Sequence, residues 1–149
     1  MLEGPVADAT IWIDAQPDDV WIALTDPARI RRYLFGADVR SDWRTGSPIR
    51  WSGEYAGRRF EDHGEVIEAA PGVLLEYRHV SGTAKDGGDD LGHIVRIDLA
   101  GEDGGTRVTL RQDGAADVAA REHAEANWRQ VLAGLKDVVE GEHGVSTRR

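Results

Sequence analysis

Apolar and polar residues alternate along much of the chain, with the period of two that is typical of strands with one buried face. The segments with this pattern are residues 8–14, 49–55, 58–68, 73–80, 93–99 and 106–112. Turn signals separate them, among them Ala70-Pro71-Gly72 and the glycine-rich residues 101–105. Residues 81–92 are rich in Gly and Asp and predict a flexible loop. The pattern therefore predicts an antiparallel sheet of about six strands.

Helical signals flank the strands on both sides. Pro17 suits the first turn of a helix, and Asp26 can cap a second short helix that runs to about Tyr33. Near the C-terminus the apolar spacing changes to i, i+3, i+4, i+7, which indicates one long helix from about Val118 to Glu140. The apolar stripe of this helix consists of Ala124, Trp128, Val131, Leu132, Leu135, Val138 and Val139. Residues 142–149 are predicted to form a disordered tail.

The order of these elements predicts the fold class. A strand, two short helices, a meander of strands and a long helix make an α+β domain, in which a curved antiparallel sheet wraps around the C-terminal helix. Residues 1–141 are predicted to form this single domain, because 149 residues suit one core. Gly134 in the long helix either allows a close approach to the sheet or has no structural role. A sheet curved around one helix encloses more space than its side chains fill, which predicts an apolar cavity facing Trp128.

Composition and charge narrow the classes of function. The chain has 18 Lys and Arg against 27 Asp and Glu, a net charge of −9 and no basic stripe, which argues against nucleic-acid binding. It has no cysteine, and no apolar run reaches the roughly 20 residues that would insert in a membrane. The first residues lack a signal-peptide pattern, so a cytoplasmic location is expected. Five histidines show no metal-ligand spacing, and neither a metal nor a cofactor is predicted.

Several segments resemble a known protein family. They are the runs at residues 11–17, 20–27, 70–72, 104–110 and 128–136. Together they are similar to bacterial proteins related to the activator of the Hsp90 ATPase, within the START/Bet v 1-like superfamily, which includes polyketide cyclase-like proteins. The resemblance implies a helix-grip fold, in which the sheet grips the C-terminal helix. It implies no particular ligand, because members of one fold differ in function.

Aromatic and polar residues on the predicted inner face are the candidates for a binding site. The predicted ligand-binding residues are Tyr33, Phe35, Trp51, Tyr55, Phe60, Tyr77, His79, His93, Val95, Leu110, Trp128 and Leu132. His79 and His93 lie on strands that can pair across the loop, and together with Tyr77 they are the candidates for acid–base catalysis. Asp62 and His63 are neighbours in a strand and cannot converge on one substrate, so they are interpreted as a solvated face.

Three functions are compatible with the sequence. The first is a protein that binds a small apolar or aromatic molecule, lipid-like or polyketide-like, in the cavity. The second is a cyclase- or hydratase-type enzyme, which requires an ionisable group with a perturbed pKa inside the cavity. The third, implied by the resemblance, is a co-chaperone-like interaction module, which requires an exposed apolar patch on the order of several hundred Å². Either a monomer or a homodimer is expected.

Overall fold

The strands and helices occupy most of the chain. The computed structural model describes residue 2, residues 4–82 and residues 92–147, without the side chains of residues 55 and 143–147. The elements are β1 Ala7–Ile13, α1 Pro17–Thr25, α2 Pro27–Tyr33, β2 Asp38–Ser41, β3 Pro48–Tyr55, β4 Arg58–Ala70, β5 Leu74–Val80, β6 His93–Glu102, β7 Gly105–Gln112 and α3 Val118–Thr147. Most of the loop predicted at residues 81–92 lies outside the described residues. Within the described part, no helix is long and apolar enough to cross a membrane.

The strands pair antiparallel in one sheet of seven, in the order β1-β7-β6-β5-β4-β3-β2. The predicted α+β class and the helix-grip arrangement are confirmed, with one strand more than the sequence indicated. The additional strand is β2, whose four residues contain a single apolar side chain and therefore show no alternation. Its Val39 is 1% exposed and pairs with Trp51 of β3. Burial of the Val39 side chain holds β2, the edge strand of the sheet, against β3.

Two tight turns set the strand register on the concave face. Ala56 and Gly57 connect β3 to β4 with φ angles of 53° and 78°, and Asp103 and Gly104 connect β6 to β7 with 53° and 80°. Positive φ at both central residues is the conformation of a type I′ turn, whose twist matches that of the flanking strands. These two hairpins therefore determine which residues of four strands face α3.

The C-terminal helix continues beyond its predicted end. It runs past Glu140 to Thr147, so it includes residues 142–147 of the predicted tail, while residues 148 and 149 lie outside the described residues. Gly141 is only a weak stop, because a glycine inside a helix costs about 1 kcal/mol relative to alanine. Glu142 then pairs with Arg29 at 3.1 Å and with Arg32 at 3.2 Å, both on α2. These two ion pairs stabilise the turn of α3 that follows Gly141.

The apolar stripe of α3 packs into the concave face as predicted. Leu132 and Leu135 are 2% and 1% exposed, within a core cluster that includes Val108 and Leu110 of β7. Gly134 does permit a close approach, but to α2 and not to the sheet. A Cβ there would lie 3.0 Å from Cβ of Tyr33. The predicted contact of Gly134 with the sheet was therefore wrong, because the neighbour at this position is Tyr33 of α2.

Lys136 and Glu140 fasten α3 to the end of β1. Glu140 accepts hydrogen bonds from the backbone N–H of Asp14 at 2.8 Å and from Nζ of Lys136 at 2.6 Å. Nζ of Lys136 also donates to the carbonyl of Trp12 at 2.9 Å. Burial alone would disfavour the charged form of Glu140, but the hydrogen bonds from Lys136 and from the Asp14 N–H outweigh it and lower the pKa of this carboxyl.

We expect Glu140→Gln to lower the free energy of unfolding by about 1 kcal/mol near neutral pH. Because the pKa of Glu140 is lower in the folded state, its carboxylate stabilises the fold above the unfolded pKa, and this contribution is lost as pH falls through the folded pKa. Urea unfolding of both proteins from neutral to acidic pH measures the difference. Asp137→Asn, at an exposed position of the same helix, is the control. A deficit that stayed constant with pH would contradict the assignment.

Candidate functional site

A cavity of about 750 Å³ lies between the concave face of the sheet and α3. Small-molecule pockets typically have volumes of about 300–1,000 Å³. Most of the predicted binding residues line this cavity: Phe35, Trp51, Phe60, Tyr77, His79, His93, Val95 and Trp128. The space that the sequence predicted beneath Trp128 is therefore present, and the aromatic residues form much of its wall.

The remaining predicted residues lie elsewhere. Tyr33, Leu110 and Leu132 line a smaller cavity of about 50 Å³, deeper between sheet and helix. The hydroxyl of Tyr33 donates a hydrogen bond to the carbonyl of Ala23 at 2.9 Å, which ties its ring to α1. Burial is the main cause that raises the pKa of Tyr33, so this phenol stays protonated. The side chain of Tyr55 lies outside the described residues, and its role stays a prediction.

The register of β4 to β7 arranges the concave face in three rows. The deep row is Leu75, Ile97 and Leu110, the middle row is Val66, Tyr77, Val95 and Gln112, and the outer row is Gly64, His79 and His93. The predicted meeting of His79 and His93 is confirmed, since the two residues stand directly opposite each other. The face thus becomes more polar from its buried end towards the outer row.

Asp62 and His79 form a hydrogen-bonded pair in the cavity wall. Nε2 of His79 lies 2.9 Å from Oδ2 of Asp62, and Oδ1 of Asp62 accepts a hydrogen bond from the N–H of Gly82 at 2.8 Å. The imidazole packs against Trp51 in a T-shaped arrangement, with 4.6 Å between the ring centroids and 73° between the ring planes. An ionised carboxylate only accepts hydrogen bonds, so it holds the proton of a neutral imidazole on Nε2 and leaves the lone pair on Nδ1.

The interpretation of Asp62 as part of a solvated face was wrong. Asp62 stands opposite Trp51 in the β3–β4 ladder, two residues after Phe60, and therefore shares their inner face. Its side chain is 16% exposed, whereas the neighbouring His63 points outwards and is exposed. The period of two from Phe60 would have been sufficient to place it. Other cavity residues that the sequence did not single out are Ala37, Arg58, Arg59, Ser81, Gln112 and Asn127.

Three further groups define the chemistry of the wall. Nε1 of Trp128 donates to Oε1 of Gln112 at 2.6 Å, which joins α3 to the end of β7 across the cavity. Burial raises the pKa of Tyr77, so this phenol remains a hydrogen-bond donor well above neutral pH. Nδ1 of His93 is buried and has no hydrogen-bond partner among the described residues. Among the residues that the structure describes, no group of three or more His, Asp or Glu side chains is arranged to hold a metal ion.

A seven-stranded antiparallel sheet around a long C-terminal helix, with a cavity between them, defines the helix-grip class of domain. Residues 14–140 match the sequence model described as activator of Hsp90 ATPase homolog 1-like protein, and the chain belongs to this family. The family resemblance indicated by the sequence is therefore confirmed. A search of curated protein sequences gives no significant match to the chain.

Solved structures share the fold over nearly the whole chain. A protein from Cytophaga hutchinsonii is 34% identical, with 97% of this chain and 99% of that chain covered and a TM-score of 0.81. The Aha1 dimer from Colwellia psychrerythraea is 19% identical, with coverages of 91% and 96% and a TM-score of 0.72. DynU16, a putative protein in the dynemicin biosynthetic locus, is 20% identical, with coverages of 93% and 48% and a TM-score of 0.75. The last two show similarity of fold alone.

Proposed function

We propose that the protein binds a small, largely apolar or aromatic molecule between the sheet and α3. The observation that carries this proposal is the cavity of about 750 Å³, walled by Trp51, Phe60, Tyr77 and Trp128. Large aromatic side chains offer apolar contact area, and a few polar groups among them can fix the orientation of a ligand. The protonated phenol of Tyr77 is one such group.

We expect the neutral probe 9-anthracenemethanol to bind saturably, and Asn127→Trp to weaken its binding about tenfold or more. Asn127 is exposed on α3 and lines the cavity, so an indole there would occupy space at the opening. Energy transfer from the tryptophans to the anthracene ring measures binding. Ala133→Trp, at an exposed position of the same helix outside the cavity lining, should leave the affinity unchanged. Equal affinities of the two variants would contradict the proposed site.

A second function, acid–base catalysis in the same cavity, is favoured by the Asp62–His79 pair. Aldol-type cyclisation begins when a base removes a proton from a carbon next to a carbonyl group. Nδ1 of His79 is the candidate base, because Asp62 occupies Nε2 and would stabilise the imidazolium that forms. Tyr77, two residues earlier on the same face of β5, is a candidate donor to the enolate oxygen.

This activity predicts catalysed deuterium exchange at the carbon next to the carbonyl of 1-tetralone in D₂O. The base takes the proton from carbon to give an enolate, and a deuteron from solvent is then delivered to that carbon. We expect His79→Gln to reduce the catalysed rate about a hundredfold, and Asp62→Asn to reduce it at least about tenfold. Proton NMR follows the loss of the carbon-bound signal. His63→Gln, on the outer face beside Asp62, is the matched control. A protein-dependent rate unaffected by His79→Gln would rule out this base.

The interaction-module hypothesis receives less support. The large apolar residues that are exposed in the described part of the chain are Ile22, Phe35, Val73 and Val118. They stand on α1, after α2, before β5 and at the start of α3, so they do not share one element. The structure from Colwellia psychrerythraea is a dimer, and for the present chain a monomer or a homodimer stays a prediction.

A further inference from the structure

We infer that the cavity selects molecules that carry a carboxylate at one end of an apolar body. This inference rests on the proposed binding function and specifies the class of ligand. It follows from three features of the described residues. The cavity wall contains more basic than acidic side chains, its two arginines have no acidic partner, and the concave face becomes more polar from the deep row to the outer row.

The charges in the cavity wall contrast with those of the whole protein. The chain has a net charge of −9, yet the ionisable lining includes Arg58, Arg59, His79 and His93. Among the described lining residues, Asp62 is the single carboxylate. Its Oδ1 accepts a hydrogen bond from the N–H of Gly82 and its Oδ2 pairs with His79, so both carboxylate oxygens already have partners within the wall. An anionic ligand would therefore meet two arginines in the wall against a single carboxylate whose oxygens are already engaged.

Arg58 and Arg59 are the arginines that line the cavity, and among the described residues they share with Arg44, Arg121 and Arg129 the lack of an acidic side chain within 4.0 Å. Elsewhere an acidic side chain lies within 4.0 Å of Arg29, Arg31, Arg32, Arg40, Arg50, Arg96, Arg107 and Arg111. In the part of the chain that the structure describes, neither Arg58 nor Arg59 has such a partner. Both are exposed at the cavity. Unpaired guanidinium groups beside an opening with apolar walls produce a positive potential that attracts anions.

Arg58 has the inner-face position of the two. It begins β4, and Phe60 and Asp62 follow at intervals of two on the face that lines the cavity. Arg59 alternates with them and stands opposite Glu54 of β3. A guanidinium group donates two parallel hydrogen bonds to a carboxylate, a geometry that neutral groups do not match. We therefore assign the recognition of the carboxylate to Arg58.

The rows of the concave face match an amphipathic anion. The deep row is entirely aliphatic, the middle row contains Tyr77 and Gln112, and the outer row contains His79 and His93. A carboxylate pushed into the deep row would lose its hydration without gaining a partner, which is strongly unfavourable. The apolar body therefore occupies the inner part of the cavity, and the charged end faces the outer row and Arg58.

Two probes with the same ring system test this inference. We expect 9-anthracenecarboxylate to bind at least about fivefold more tightly than 9-anthracenemethanol at low ionic strength, and high salt to remove most of the difference. Arg58→Gln should weaken binding of the carboxylate about three- to fivefold and change binding of the alcohol less than about twofold. Arg44→Gln, an exposed arginine outside the cavity lining, is the matched control and should change neither affinity.

The outcomes separate this inference from the function on which it rests. If the alcohol binds as tightly as the carboxylate, or 9-(aminomethyl)anthracene binds more tightly than both, the preference for anions is overturned and the binding cavity stands. If none of the three probes binds, both proposals are overturned. If Arg58→Gln weakens the carboxylate and the alcohol equally, Arg58 contributes to packing and does not recognise charge.

Discussion

Gly64→Ala is expected to lower the free energy of unfolding by about 3 kcal/mol or more. A Cβ at this position would lie 1.8 Å from the carbonyl oxygen of Arg78 and 3.0 Å from the ring of Trp51. The first neighbour is backbone, so it cannot move aside as a flexible side chain would. Gly64 pairs with His79, and separating the strands here would break the β4–β5 ladder in the cavity wall. Urea denaturation followed by circular dichroism measures the loss.

Gly101→Ala is the matched control for this effect. Gly101 also lies in a strand of the same sheet, where it pairs with Thr106, but a Cβ there would meet no atom within 4 Å. Alanine restricts the unfolded chain more than glycine does, so this variant should be unchanged or up to about 1 kcal/mol more stable. If the two variants unfolded alike, the close approach of β4 and β5 would not constrain residue 64.

The fold could be predicted where the apolar period extends over enough residues. The six longer strands and the start of α3 follow from periods of two and 3.6, because one face of each element is buried. β2 could not be found in this way, since only Val39 among its four residues is apolar. The last turns of α3 were missed for a different reason: Arg29 and Arg32 stabilise them from α2, far away in the sequence.

The candidate site was predictable in its composition but not in its contacts. The period of two placed Trp51 and Tyr77 on the inner face of the sheet, and the helical period placed Trp128 on the face of α3 opposite them. The period of two applied from Phe60 would have included Asp62. The partner of Asp62 was not accessible to this reasoning. β4 and β5 shift register between Val66 and Glu68, and no local pattern in the sequence reveals such an irregularity. Among the described residues Arg58 and Arg59 lack acidic partners, and this too depends on the folded arrangement and not on a local sequence pattern.

Leu135→Ala is expected to lower the free energy of unfolding by about 3–4 kcal/mol. Leu135 is 1% exposed and lines the cavity of about 50 Å³ together with Ile97 and Leu110 of the sheet. Truncation would enlarge an existing void, and the hydrogen bond of Trp128 to Gln112 holds the helix so that it cannot settle into the space. The expected loss therefore lies above the lower end of the range of about 2–5 kcal/mol for such substitutions. Chemical denaturation provides the measurement.

Ile22→Ala is the control for Leu135→Ala. It removes an aliphatic side chain that is 47% exposed on α1, and it should lower the free energy of unfolding by less than about 1 kcal/mol.

Leu135 does not line the larger cavity, so folded Leu135→Ala protein should bind 9-anthracenemethanol within about twofold of the parent. A loss of stability no greater than that of Ile22→Ala would mean that α3 moves onto the sheet after truncation. The same movement would narrow the binding cavity. Stability and affinity measured on this one variant therefore test whether α3 is a fixed wall of the site.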